Sequence, residues 1–75
     1  MKYQSGEEVI VGDKVLIENG KTTGVIDKII ETKEEMKEWN VEEPGVLIKS
    51  APFGHVFWPE SNNEDPVIFQ KHENT

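Results

Sequence analysis

Seventy-five residues leave room for one domain with one small core, since a chain near this size buries only about 60% of the surface its unfolded form exposes. With no cysteine present, neither a disulfide framework nor a thiolate zinc site can staple the fold, and a reducing, cytoplasmic setting suits the composition. Fifteen Asp and Glu stand against eight lysines and no arginine, a net charge of −7. Such a surface repels phosphate backbones and lacks the forked guanidinium that grips them, so nucleic acid is a disfavoured ligand. The opening Met1-Lys2-Tyr3-Gln4-Ser5-Gly6 is followed by no apolar stretch, so neither a signal peptide nor a membrane span is expected.

Along the chain, apolar residues come in short β-branched runs separated by turn signals, which is how an all-β domain reads. Val9-Ile10-Val11 comes first and Gly12-Asp13 turns the chain. The residues from Lys14 to Ile17 make the first strand, ended by Glu18-Asn19-Gly20, because Asn and Gly tolerate the positive φ of tight turns. Lys21-Thr22-Thr23 lengthens that loop, and a second strand covers Gly24 to Ile30, with Gly24 marking a bulge or a close backbone approach.

The residues from 31 to 44 break the pattern. Thr32 and Glu35 have capping-box spacing, but Met36 and Trp39 are the only apolar residues in the stretch Thr32–Trp39. A long acidic loop with one or two turns of helix is expected, closed by Glu43-Pro44-Gly45. A third strand runs from Gly45 to Ser50, Pro52-Phe53-Gly54 turns, and His55-Val56-Phe57-Trp58 returns as a fourth. Ser61 to Pro66 is a polar loop, Val67 to Gln70 a fifth strand, and residues 71–75 a frayed tail. Alternation places Val15, Ile17, Val25, Ile29, Val46, Ile48, Val56, Trp58 and Ile68 in the core. The expected architecture is a bent five-stranded meander closing into a partly open barrel. An α+β arrangement with 32–39 as a packed helix is the alternative.

The run Gly12-Asp13-Lys14-Val15-Leu16-Ile17-Glu18-Asn19-Gly20, followed by Gly24-Val25-Ile26, resembles the opening of Src-homology-3-like small barrels of the translation and chromatin type. The resemblance implies an all-β, five-stranded Src-homology-3-like small barrel; the acidic, short-helical insertion between strands 2 and 3, read from residues 31–44, is this chain's departure from it, together with the missing arginine. Over nearly its whole length the chain is also similar to small acidic bacterial proteins of toxin-immunity and secretion loci. That frame is Met1-Lys2-Tyr3, Ser5-Gly6-Glu7, the stretch from Val9 to Val15, Gly45-Val46-Leu47 and Glu64-Asp65. It implies an immunity protein that neutralises a cognate toxin, and it carries over no site residues.

Candidate chemistry is sparse. With no Cys, three serines at 5, 50 and 61, and histidines only at 55 and 72, no nucleophile sits beside an orienting base by spacing. His55 belongs to the hairpin end and His72 to the tail. No metal-ligand spacing is present either: Asn62-Asn63-Glu64-Asp65 lacks the alternation and central glycine of a calcium loop. No enzyme activity, metal or cofactor is expected. Partner-binding candidates are Trp39 with its carboxylate rim, Glu34, Glu35, Glu38, Glu42 and Glu43, and the aromatics Phe53 and Phe57. Tryptophan buries a large area at low entropic cost, and the carboxylates would steer a basic protein partner, such as a toxin nuclease domain. The bland alternatives are that Trp39 folds back as a lid and that the acidity only solubilises. Two further classes stay open: a ribosome- or nucleic-acid-associated barrel, and a subunit that self-associates through Phe53, Phe57 and Trp58.

Overall fold

The fold is described from a computed structural model, over residues 1–50 and 54–72. Strands β1 (Lys14–Ile17), β2 (Thr22–Ile30), β3 (Gly45–Ser50), β4 (Gly54–Pro59) and β5 (Ile68–Lys71) form one antiparallel sheet in the order β4-β3-β2-β1-β5, with helix α1 (Lys33–Glu38) between β2 and β3. The all-β expectation holds. The sheet is not closed: β4 and β5 stand at its opposite edges. Phe53 lies outside the described residues, as does most of the 71–75 tail.

Inward parity sets the core. Val15 and Ile17 from β1, Ile26 from β2, and Val46 and Ile48 from β3 are buried together with Tyr3 and Val9 from the N-terminal segment. Met1, Ile29, Trp58, Val67 and Phe69 pack against them. Ile10 and Val11 are exposed, so only the first residue of the Val9-Ile10-Val11 run is core.

Two placements differ from simple alternation, and both have a cause. The register between β2 and β3 shifts between Ile26 and Lys28, so a bulge interrupts β2's parity. Val25 therefore faces outward beside Lys14 and Lys49, whereas Ile26 is buried. Beyond the bulge Ile29 packs on the main core, and Ile30 is fully buried on the other side, opposite Gly45. Ile68, expected in the core, is 41% exposed. It pairs with Leu16 on an edge strand, and Leu16 faces away from Val15 and Ile17.

Two glycines are required by close approach. A Cβ at Gly24 would lie 2.4 Å from Ile48 Cγ2, and one at Gly45 would lie 2.4 Å from the Trp58 carbonyl oxygen and 2.7 Å from the Phe57 ring. The close approach expected at Gly24 is thus present, while the bulge sits three residues later. The β1–β2 loop is Glu18 to Lys21, with Glu18, Asn19 and Gly20 all at positive φ. Thr22 and Thr23 belong to the strand.

Candidate functional site

Helix α1 is too short to be stabilised by length, and none of its residues is buried. Its ends hold it instead. The Thr32 hydroxyl accepts the Glu35 amide at 3.1 Å, and the Glu35 carboxylate accepts the Thr32 amide at 3.1 Å and the Glu31 amide at 3.2 Å. This is the capping box expected from the sequence. The Thr32 and Glu31 amides hold the Glu35 carboxyl below the usual glutamate range. At the other end Asn40 takes φ 56, with Asn40 N–H donating to the Lys37 carbonyl and Val41 N–H to the Met36 carbonyl. These two bonds make a Schellman motif, with Asn in the left-handed position that glycine more often fills.

Trp39 is the C-cap residue and stands 44% exposed. The Lys28 ammonium lies 6.0 Å from its ring centroid, at the outer reach of a cation–π contact. Lys28 is opposite Leu47, which is opposite Phe57, so the tryptophan lies over the outer face of the sheet, the side away from Val46 and Ile48. The lid expectation is met only in part, because so much of the ring faces solvent.

The candidate residues therefore separate. Glu34, Glu38 and Glu42 are exposed in the same segment as Trp39, with no ion pair among the described residues. Glu35 is engaged in the capping box, and Glu43 accepts the Ser61 hydroxyl. Phe57 is half-buried and its ring covers Gly45. It packs the outer side of the sheet while Trp58 packs the inner side, where its indole N–H donates to the Asp65 carbonyl at 2.7 Å. Of the candidates, Glu34, Glu38, Trp39 and Glu42 are the ones left exposed in the segment between β2 and β3 with no hydrogen bond or ion pair claiming their side chains among the described residues.

A second constellation was not anticipated. Asp13 is 1% exposed; it accepts the Tyr3 hydroxyl at 2.7 Å and the Ile10 amide at 2.9 Å through Oδ2, and meets His72 Nδ1 at 2.6 Å through Oδ1. The Tyr3 and His72 rings both stack on Phe69, at 5.0 and 4.8 Å. Burial alone would raise the Asp13 pKa, but the bonds from Tyr3, His72 and Ile10 outweigh it and hold the carboxyl below the usual aspartate value. Burial first, then the bond to Asp13, pushes the Tyr3 phenol far up. The expectation that Lys71 and His72 belong to a frayed tail is corrected: Lys71 ends β5, and His72 supplies a partner to a buried carboxylate that cannot be left unpartnered. The signal was available in parity, since Asp13, Val15 and Ile17 alternate onto one face.

A small apolar groove of about 50 Å³ opens between Tyr3, Val9, Val46, Trp58 and Val67, with Lys2 and Glu60 also lining it. The Tyr3 hydroxyl is turned to Asp13. His55 sits in β4, 3.0 Å from Asp27. Among the described residues no group of three or more histidines or carboxylates could hold a metal ion, and no helix is long and apolar enough to cross a membrane. Comparison with known proteins finds no matching family model, no similar curated protein and no similar solved structure.

Proposed function

We propose that the protein is a non-enzymatic binding module that presents Trp39, rimmed by Glu34, Glu38 and Glu42, to a basic protein partner. The observation that carries this reading is a large aromatic, 44% exposed, at the C-cap of a six-residue helix fixed at both ends by its own caps. A tryptophan held in place before binding loses little entropy on docking. The carboxylates around it attract a basic surface and align it.

The scaffold is read as a Src-homology-3-like small barrel whose edges β4 and β5 remain apart. The order β5-β1-β2-β3-β4 and a nine-residue β2 broken by a bulge support that reading. The narrower function is that of an immunity protein: the acidic tryptophan feature occupies a toxin's basic, substrate-attracting cleft and excludes the substrate. It rests on the sequence resemblance and on the charge. Co-expression with the product of the neighbouring gene tests it. The expected result is a complex that survives purification at low salt and is lost on Trp39→Ala. A neighbour with no toxic activity, or no complex, removes the immunity role.

A further inference from the structure

The chain is acidic as a whole, but its charge is not evenly placed. Strand register sets Lys71 opposite Lys14, Lys14 opposite Val25, Val25 opposite Lys49 and Lys49 opposite His55. Directly opposed residues share a face. One row therefore crosses all five strands on the outer face, carrying three lysines, a histidine and a single apolar residue. Lys14, Lys49, Lys71 and His55 are exposed. In a chain with fifteen carboxylates, none of these three lysines has an ion-pair partner among the described residues. Only the His55 end of the row is matched, by Asp27. Like charges set side by side across strands oppose the sheet that carries them, and an anionic ligand would relieve that cost.

The middle of the row borders a shallow basin formed by Lys14, Thr23, Val25, Lys49 and Gln70. The exposed Thr23 hydroxyl and Gln70 amide add neutral donors beside the ammonium groups. The net charge of −7 does not cancel this surface. The molecule measures 30 × 27 × 26 Å, while charges in physiological salt are screened over about 8 Å, so local charge decides what docks here.

We propose that this row is a second interaction surface, which binds a short carboxylate-rich segment of a protein partner. Adjacent strands are about 4.8 Å apart, so the row is about 19 Å long, the reach of roughly six residues of extended chain. A long phosphate polymer would run beyond the row onto the acidic remainder of the surface, and the row has no arginine fork to grip phosphate. A short carboxylate segment avoids both costs. The surface operates independently of Trp39 and does not rest on the acidic-face reading.

The test is amide chemical-shift mapping of the full chain with a hexaglutamate peptide. Shifts are expected at Lys14, Val25, Lys49 and Lys71, and they should vanish when salt is raised from about 0.05 to about 0.5 M. They should also vanish in Lys14→Gln/Lys49→Gln/Lys71→Gln, a variant without the burden of new charges, whose unperturbed remaining amides report an intact fold. A Trp39→Ala chain should bind the peptide as the parent does. A hexathymidylate probe is the opposing arm. Absence of shifts, shifts elsewhere, survival of binding in the triple variant, or preference for the oligonucleotide would each overturn the proposal. So would a sedimentation coefficient that rises with concentration and returns to the monomer value in the triple variant, which would make a second copy the occupant.

Discussion

Asp13 is the buried carboxylate that ties the two ends of the described chain together. Its carboxylate joins the N-terminal segment, through Tyr3 and Ile10, to the end of β5, through His72. Because its folded pKa is depressed, its contribution to stability is complete above the ordinary aspartate value and is lost as pH falls through the lower folded value. Tyr3 has the opposite sign: its raised pKa means a contribution complete below about pH 10 and lost as pH rises beyond it. Thermal unfolding followed across pH should show both limbs, and Tyr3→Phe should remove the part of the alkaline limb that begins at about pH 10, leaving that of the Met1 amine, whose pKa the Glu8 and Glu31 carboxylates also raise. Asp13→Asn should cost about 2–3 kcal/mol, because it replaces a charged acceptor of three bonds in a buried site. A smaller loss, under about 0.5 kcal/mol, would mean that water replaces these contacts. At Gly45, substitution by alanine pushes a methyl into a backbone carbonyl and a packed ring, so denaturant titration should show a loss of about 1–3 kcal/mol.

At the scale of elements, α1 is built by its caps, and its stability can be altered without touching Trp39. Thr32→Ala removes the N-terminal hydroxyl acceptor and should cost the helix about 1 kcal/mol. Asn40→Ala keeps a Cβ at φ 56 but loses the short polar side chain that makes asparagine tolerant of that region, and should cost up to about 1 kcal/mol, whereas Asn40→Gly should be neutral or better. If the fixed helix is what presents Trp39, both destabilising changes also weaken partner binding, and Asn40→Gly preserves it. Hydrogen exchange at the Trp39, Asn40 and Val41 amides, all donors in the C-terminal cap, follows the same order. Much of this level is legible in the sequence: the β-branched runs locate all five strands, Thr32 and Glu35 announce the capping box, and Gly24 announces a close approach. Parity across β2 is not legible, because the bulge at Asp27 carries no glycine or proline, and one aspartate between apolar residues reads equally well as an outward strand position. Alternation then assigns Val25 to the core in place of Ile26 and, while placing Ile29 correctly, misses that Ile30 is buried as well. The Tyr3–Asp13–His72 link was half legible. Asp13 shares the inward parity of Val15 and Ile17, but His72 reaches it only by a pairing that spans nearly the whole chain.

The whole molecule is an open five-stranded sheet with a single small core, and its two charged features lie on one outer face. Trp39 approaches that face at Lys28, in the row next to the one that carries Val25 and Lys49. A partner with a basic surface flanked by a short acidic segment would engage both at once, and its orientation would be fixed by charge as well as by shape. Association with a basic partner should slow steeply as salt rises, while dissociation changes little. Trp39→Ala should act on dissociation instead, weakening the complex by about 2 kcal/mol or more, roughly thirtyfold in Kd. Glu38→Lys should lower the association rate. The most direct measurement places a photo-crosslinking side chain at Glu34 in the living cell, with Glu18 as the control position. A single discrete adduct with a basic protein from position 34, absent from position 18 and lost on Trp39→Ala, is the expected result. No adduct, or the same adducts from both positions whether or not Trp39 is present, would contradict the acidic tryptophan feature as the binding site.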